Sequence, residues 1–313
     1  MKRDNMEYFS DIEKGLPLRN INDIDHNVWA GIASYIDMLA KKGYFGRDFP
    51  EQCLDNQGCI GTDNDAFKKA LQAEIPDLDW PLVTEKSDDN SPTCFLNQPK
   101  TPYIPNFLDI MDLIQFCFKH IAKPINGKFH EFYGHYHINN FDEQSGRDEF
   151  VDKINTIFYR NGLAYELKSS GEIKKILSLA LEQMASTFKV PKEIELNNLF
   201  ISANEKIYSP NVMIRYEALK DLWDFWERMK SAHNPAQNKK KESVTTLLDN
   251  SSKEIEFRSL LESEAIYLTE IGNKYFIRHS EMSQIKIQDS DHIEYLYQRM
   301  FSMLHLLSKN FPF

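Results

Sequence analysis

Arg278, His279 and Glu281 stand together in the stretch Gly272-Asn273-Lys274-Tyr275-Phe276-Ile277-Arg278-His279-Ser280-Glu281. An arginine offers a forked cationic donor that matches a phosphate. An imidazole beside it moves protons near neutral pH. A carboxylate orients that imidazole. Such a set can cleave RNA without a metal: His279 takes the proton of a 2′-OH, and Arg278 stabilises charge on the phosphorane. The same residues also have a plainer use. At a helix end, Arg278 and His279 satisfy the last carbonyls, and Glu281 pairs with Arg278.

A second cluster reads His130-Glu131-Phe132-Tyr133-Gly134-His135-Tyr136-His137. His135 and His137 alternate, so on a strand they face one side and, with His130, offer zinc ligands. The spacing matches no specific zinc motif and no cysteine lies near in sequence. Phe132, Tyr133 and Tyr136 read as packing residues. No metal is assigned here and no cofactor is expected. Lys239-Lys240-Lys241 can touch a nucleic-acid backbone or simply form a solvated helix start. Trp223 and Trp226 share a stripe with Leu219 and Leu222, which makes them core. No Gly-x-Gly-x-x-Gly, Walker or Gly-x-Ser-x-Gly sequence occurs.

The elements that must carry these residues are mostly helical. Val28, Trp29, Ile32, Tyr35, Ile36 and Leu39 recur at helical spacing, with Asp25 or Asn27 as cap and Gly43 as stop. A shorter helix is expected from Thr62 to about Glu74. The proline-rich stretch 85–105 reads as a loop. Phe107 to His120 reads as a buried helix ended by Pro124 and Asn126-Gly127. Ser145 starts another, with Phe150, Ile154, Ile157 and Phe158 as its stripe and Gly162 as its terminator. Tyr165 to Ile176, turning at Ser169-Ser170-Gly171, is the one β-hairpin expected. Leu177 to Phe188 is a helix, followed by a polar connection around Pro191 to Pro210.

From about 209 onward the sequence predicts a bundle of three to four helices with antiparallel neighbours. The first is capped by Ser209-Pro210 and carries Leu219, Leu222, Trp223, Trp226 and Met229. The second is short, from Lys239 to Leu248. The third runs from about Ile255 to near Ile277. The last starts at an Asp291/Glu294 capping box and carries Tyr295, Leu296, Met300, Met303, Leu304 and Leu307.

At 313 residues, with 42% hydrophobic and 27% charged residues, the chain is long enough for about two soluble domains. The net charge of −10 excludes a uniformly basic nucleic-acid coat. Residues 192–313 hold 16 Lys+Arg against 18 Asp+Glu, so the acidity lies mainly in the first part, which supports a boundary near 190–208. Cysteines at 53, 59, 94 and 117 form no Cys-x-x-Cys pair, and free thiols in the cytoplasm are expected. The first residues lack the apolar core of a signal peptide, and no apolar run is long enough for a membrane span.

A resemblance sharpens this reading. Ala218-Leu219-Lys220-Asp221-Leu222-Trp223-Asp224, Glu227-Arg228-Met229-Lys230 and Lys239-Lys240-Lys241-Glu242-Ser243 are similar to the C-terminal module of abortive-infection proteins of the AbiJ type. So are Thr269-Glu270-Ile271-Gly272-Asn273, Ile277 to Glu281, and Asp291 to Leu296 with Arg299. The N-terminal part resembles the domains attached to such modules, chiefly through Ile154-Asn155, Gly162, Tyr165 and Gly171-Glu172-Ile173. The resemblance implies a mainly α protein of two parts. Residues 1–190 form a helical sensor or regulatory domain with a small β-hairpin, and residues 205–313 form a HEPN-like helical bundle. It further implies a metal-independent endoribonuclease in antiphage defence. The implied partners are RNA, with tRNA among the candidates, a second copy in a homodimer, and a regulatory or antitoxin protein. No membrane is among them.

The usual HEPN signature places a His four to six intervening residues after the Arg, whereas positions 283–285 are Ser, Gln and Ile. Arg299 and His305 have the right count, but six helical steps of about 100° set them about 120° apart. His292 and Arg299, seven apart, share a face. The composite expectation is therefore Arg278, His279, Glu281 and His292 as catalytic residues, with Arg299 and Lys239, Lys240 and Lys241 holding substrate. The alternative is a non-catalytic RNA- or protein-binding module that dimerises or regulates a partner.

Overall fold

The computed structural model describes residues 8–15, 17–55, 58–87, 100–190, 192–231, 240–278 and 285–310. These residues are mainly α-helical and fall into two compact units, Met1–Lys174 and Lys175–Phe313. No helix among the described residues is long and apolar enough to cross a membrane.

The first unit opens with α1 (Phe9–Lys14) and α2 (His26–Lys41). Asp25 caps α2 by accepting from the Val28 N–H, and Val28, Trp29, Ile32, Ala33, Ile36 and Leu39 form its buried stripe. β1 (Pro50–Gln52) and β2 (Cys59–Thr62) follow. Next comes α3 (Asn64–Glu74), where the sequence predicts a helix, capped by Asp63 and with Phe67 and Leu71 buried. Within the stretch expected to be loop, β3 (Glu85–Ser87) pairs antiparallel with β4 (Lys100–Pro102). The pairing is decided by partners about fifteen residues apart, which local turn chemistry does not report. α4 (Phe107–His120) is buried through Ile110, Met111, Leu113, Ile114, Phe116, Cys117 and Phe118.

Two strands absent from the sequence reading come next, β5 (Lys123–His130) and β6 (His135–Asp142). They complete an antiparallel sheet in the order β1-β2-β6-β5. Pro124 and Asn126-Gly127, read above as a helix stop, lie inside β5, where the register is irregular around Asn126. No residue of β5 or β6 is fully buried, so the apolar/polar alternation that marks a strand is weak here. α5 (Glu143–Arg160) starts at an Asp142 cap, which accepts from the Ser145 N–H. The expected hairpin is present as β7 (Tyr165–Leu167) and β8 (Ile173–Lys175).

The second unit contains α6 (Leu179–Thr187), α7 (Ile194–Lys206), α8 (Val212–Met229), α9 (Lys240–Ser251), α10 (Ile255–Lys274) and α11 (Ser290–Ser308). α7 replaces the polar connection expected around Pro191 to Pro210. Leu196, Phe200 and Ala203 give it a buried stripe at spacings of four and three, and it packs along α8. Two caps also differ from expectation. Asn211, not Ser209, caps α8, and Asp289, not Asp291, caps α11 by accepting from the Asp291 and His292 N–H groups. Trp223 and Trp226 are fully buried, as their stripe predicts. The Trp223 indole donates to Leu268 O at 2.8 Å, which ties α8 to α10.

Candidate functional site

The sheet brings two turns together. One leaves β1 at Cys53, whose N–H donates to Gly58 O at 2.9 Å. The other joins β5 to β6, where Gly134 N–H donates to His130 O at 2.8 Å and His130 stands opposite His135 in the ladder. The strand turns the side chains of His135 and His137 inward and leaves Tyr136 exposed between them. Ligand atoms of Cys53, His130, His135 and His137 all lie within 4.8 Å of one another. Cys53 Sγ is 3.5 Å from His130 Nδ1. The other nitrogen of the His130 ring meets Asp55, with Nε2 at 3.4 Å from Oδ2. The Nε2 atoms of His135 and His137 are buried without a hydrogen-bond partner.

The group combines one thiol with three imidazoles, a donor set of the kind zinc takes. Desolvation, reinforced by the Asp55 carboxylate, pushes the Cys53 thiol up from its ordinary value. The three histidines were legible in sequence. Cys53 was not, because it stands 77 residues before His130 and only the β1-β2-β6 pairing brings it in. Cys53, Cys59 and Cys117 are all free thiols, so the sheet does not use Cys53 in a disulfide with Cys59.

In the second unit, α10 ends at Tyr275 and the chain turns through Phe276, which adopts a positive φ of 54°. The Arg278 N–H folds back onto Gly272 O at 3.0 Å, and the Ile285 N–H reaches Lys274 O at 3.1 Å. The Arg278 guanidinium meets Glu227 Oε2 at 3.2 Å and donates to Asn273 Oδ1 at 3.0 Å. Glu227 also takes a charge-assisted bond from Lys230, whose ammonium sits over the Trp226 ring. The corner is thus a largely buried group of two cations around Glu227. No local sequence signal marks Glu227 and Lys230, and packing of α8 against α10 gives them this place.

Arg299 forms a two-pronged bond with Glu264, at 2.7 and 2.8 Å. His292 is exposed in the first turn of α11. Lys240 and Lys241 open α9, and Lys241 is exposed. His279, Glu281 and Lys239 lie outside the described residues, so the Arg278–His279 juxtaposition stays an expectation of the sequence.

Comparison with known families matches residues 7–184 to the family described as AbiJ N-terminal domain 4. The chain belongs to that family. It is an AbiJ-type abortive-infection protein. Neither curated proteins nor solved structures give a match. The matched span contains all four residues of the Cys/His cluster and runs into α6.

Within the AbiJ domain, the residues that carried the N-terminal resemblance have structural roles. Asn155 on α5 donates to Leu167 O and accepts from Leu167 N–H, both at 2.8 Å, which holds β7 from the side. The Tyr165 hydroxyl donates to Asn22 O at 3.0 Å. Gly171 has a φ of +87°, and a Cβ there would lie 2.4 Å from the Phe118 ring. These residues fasten the β7–β8 hairpin against α4 and α5 and leave the chemistry to be found elsewhere.

Proposed function

We propose that this AbiJ-type protein acts in antiphage defence as a metal-independent endoribonuclease, through a HEPN-like module spanning 205–313. The observation that carries the reading is the α10 corner. Arg278 is held at a helix end by Glu227 and Asn273, one residue before an imidazole, in a protein of an abortive-infection family. In this mechanism His279, oriented by Glu281, takes the proton from a 2′-OH. The 2′-oxygen attacks the phosphorus, and the bond to the 5′-oxygen breaks. His292 returns a proton to that leaving oxygen. Arg278 and Arg299 stabilise charge on the phosphorane, and Lys239, Lys240 and Lys241 hold the strand. The N-terminal domain, 1–190, senses the trigger or restrains the module. The protein works in the cytoplasm as a homodimer, with RNA as substrate and a regulatory or antitoxin partner.

The test incubates full-length protein with total RNA, with and without EDTA, beside His279→Ala and Arg278→Ala. Cleavage that survives EDTA and drops at least a hundredfold in either variant supports the reading. Wild-type cleavage left unchanged in both variants overturns it.

A second reading, a non-catalytic RNA- or protein-binding module, draws on the carboxylates already seated on both arginines, Glu227 on Arg278 and Glu264 on Arg299. It predicts RNA binding or self-association without cleavage, equal in wild type and His279→Ala.

A further inference from the structure

We propose that the first unit binds one zinc ion through Cys53 Sγ, His130 Nδ1, His135 Nε2 and His137 Nε2, which pins the β1–β2 turn to the β5–β6 turn. Four zinc ligands at about 2.0–2.3 Å in a tetrahedron stand roughly 3.3–3.6 Å apart. The Cys53 Sγ–His130 Nδ1 separation of 3.5 Å already has this value, and the whole set lies within 4.8 Å. The two buried Nε2 atoms of His135 and His137 have no other partner, and an ion between them supplies one. His130 presents Nδ1 to the cluster while Nε2 faces Asp55. A carboxylate in that position, drawn up to the ring N–H, fixes the tautomer of a metal-binding histidine.

One thiolate with three imidazoles selects zinc over magnesium or calcium, which take oxygen ligands. Four protein ligands leave no open position, so the ion is structural and performs no hydrolysis. Asp55 is a positioning residue. The inference does not depend on the ribonuclease reading, because no residue is shared.

Full-length protein is purified and its metal content measured. The chelator-stripped protein is then titrated with cobalt(II) and with zinc. About one equivalent of zinc is expected, with intense visible bands of tetrahedral cobalt and a thiolate-to-cobalt charge-transfer band. Cys53→Ser loses the charge-transfer band, and His137→Ala loses tetrahedral intensity. Asp55→Asn keeps all four ligands and the same spectrum but binds tenfold to a hundredfold more weakly. His292→Ala changes none of these. Weak octahedral cobalt spectra in the stripped wild-type protein overturn the proposal, whatever the folding of the variants. So does a zinc content that Cys53→Ser and His137→Ala leave unchanged.

Discussion

Asn155 carries two hydrogen bonds to one residue, and both are buried. Removing the amide strands the Leu167 N–H and C=O, each at about 1–3 kcal/mol when left unsatisfied. Asn155→Ala is therefore expected to destabilise the protein by about 2 kcal/mol or more, read from urea unfolding. A loss under 0.5 kcal/mol, on the order of an ordinary surface substitution, contradicts the clamp. Gly272 has the opposite problem. A Cβ there would lie 2.3 Å from Trp223 Cδ1 and 3.1 Å from Arg278 Cδ. Gly272→Ala should cost about 1–3 kcal/mol by overpacking and shift the tryptophan emission. In the proposed enzyme it should also lower RNA cleavage, since the same contact sets Arg278. Unchanged emission and stability would show that the α8–α10 seam has slack. At this scale the sequence made His130, His135, His137 and both core tryptophans legible. Cys53, Glu227 and Lys230 depended on which segments pair.

Among the elements, helices with a strong apolar stripe were readable because their partners three and four residues on are local. α2, α4 and α8 are such cases, although α8 is capped by Asn211, two residues beyond the Ser209 that its sequence suggests. α7 is hidden in the sequence because Asn197, Asn198, Glu193 and Glu195 make it look like connection, while only Leu196, Phe200 and Ala203 along it are fully buried. β5 and β6 are hidden in the sequence because each pairs with the other and neither buries a clean face. α7 is also joined to α8 by charge. The Arg228 guanidinium holds the Glu193 carboxyl at about 2, below its ordinary 4.5. A carboxyl depressed on folding stabilises fully above its unfolded value, and that contribution is lost as pH falls through about 2. The urea midpoint of the wild-type protein should thus fall between pH 4.5 and 2 more steeply than that of Glu193→Gln. The difference should be modest and should shrink in high salt, because both groups are about half exposed. Parallel pH curves would remove the pair as a stabilising contact.

At the scale of the whole molecule, the described residues form two hydrophobic cores, one drawn from residues 24–173 and the other from 177–307. Phe67 is fully buried in the first and Leu222 in the second. Phe67→Ala should cost its own unit about 3–5 kcal/mol. In hydrogen exchange of the full chain, peptides from 24–173 should exchange faster, and peptides from 177–307 should keep their protection. Leu222→Ala should give the reverse. Loss of protection across both spans in either variant would mean that the units unfold as one.

Composition, periodicity and capping residues determined a mainly helical chain, the stripes of its long helices, the β7–β8 hairpin and the three histidines near 130. Those signals rest on neighbours within a few residues, so no folded partner was needed to see them. The tertiary structure decided which turn faces which. It brought Cys53 and Asp55 to the histidines and set Glu227 against Arg278. It also drew the boundary between the units after Lys174. Each of these joins residues far apart along the chain, and such contacts are chosen by the burial and pairing of whole elements.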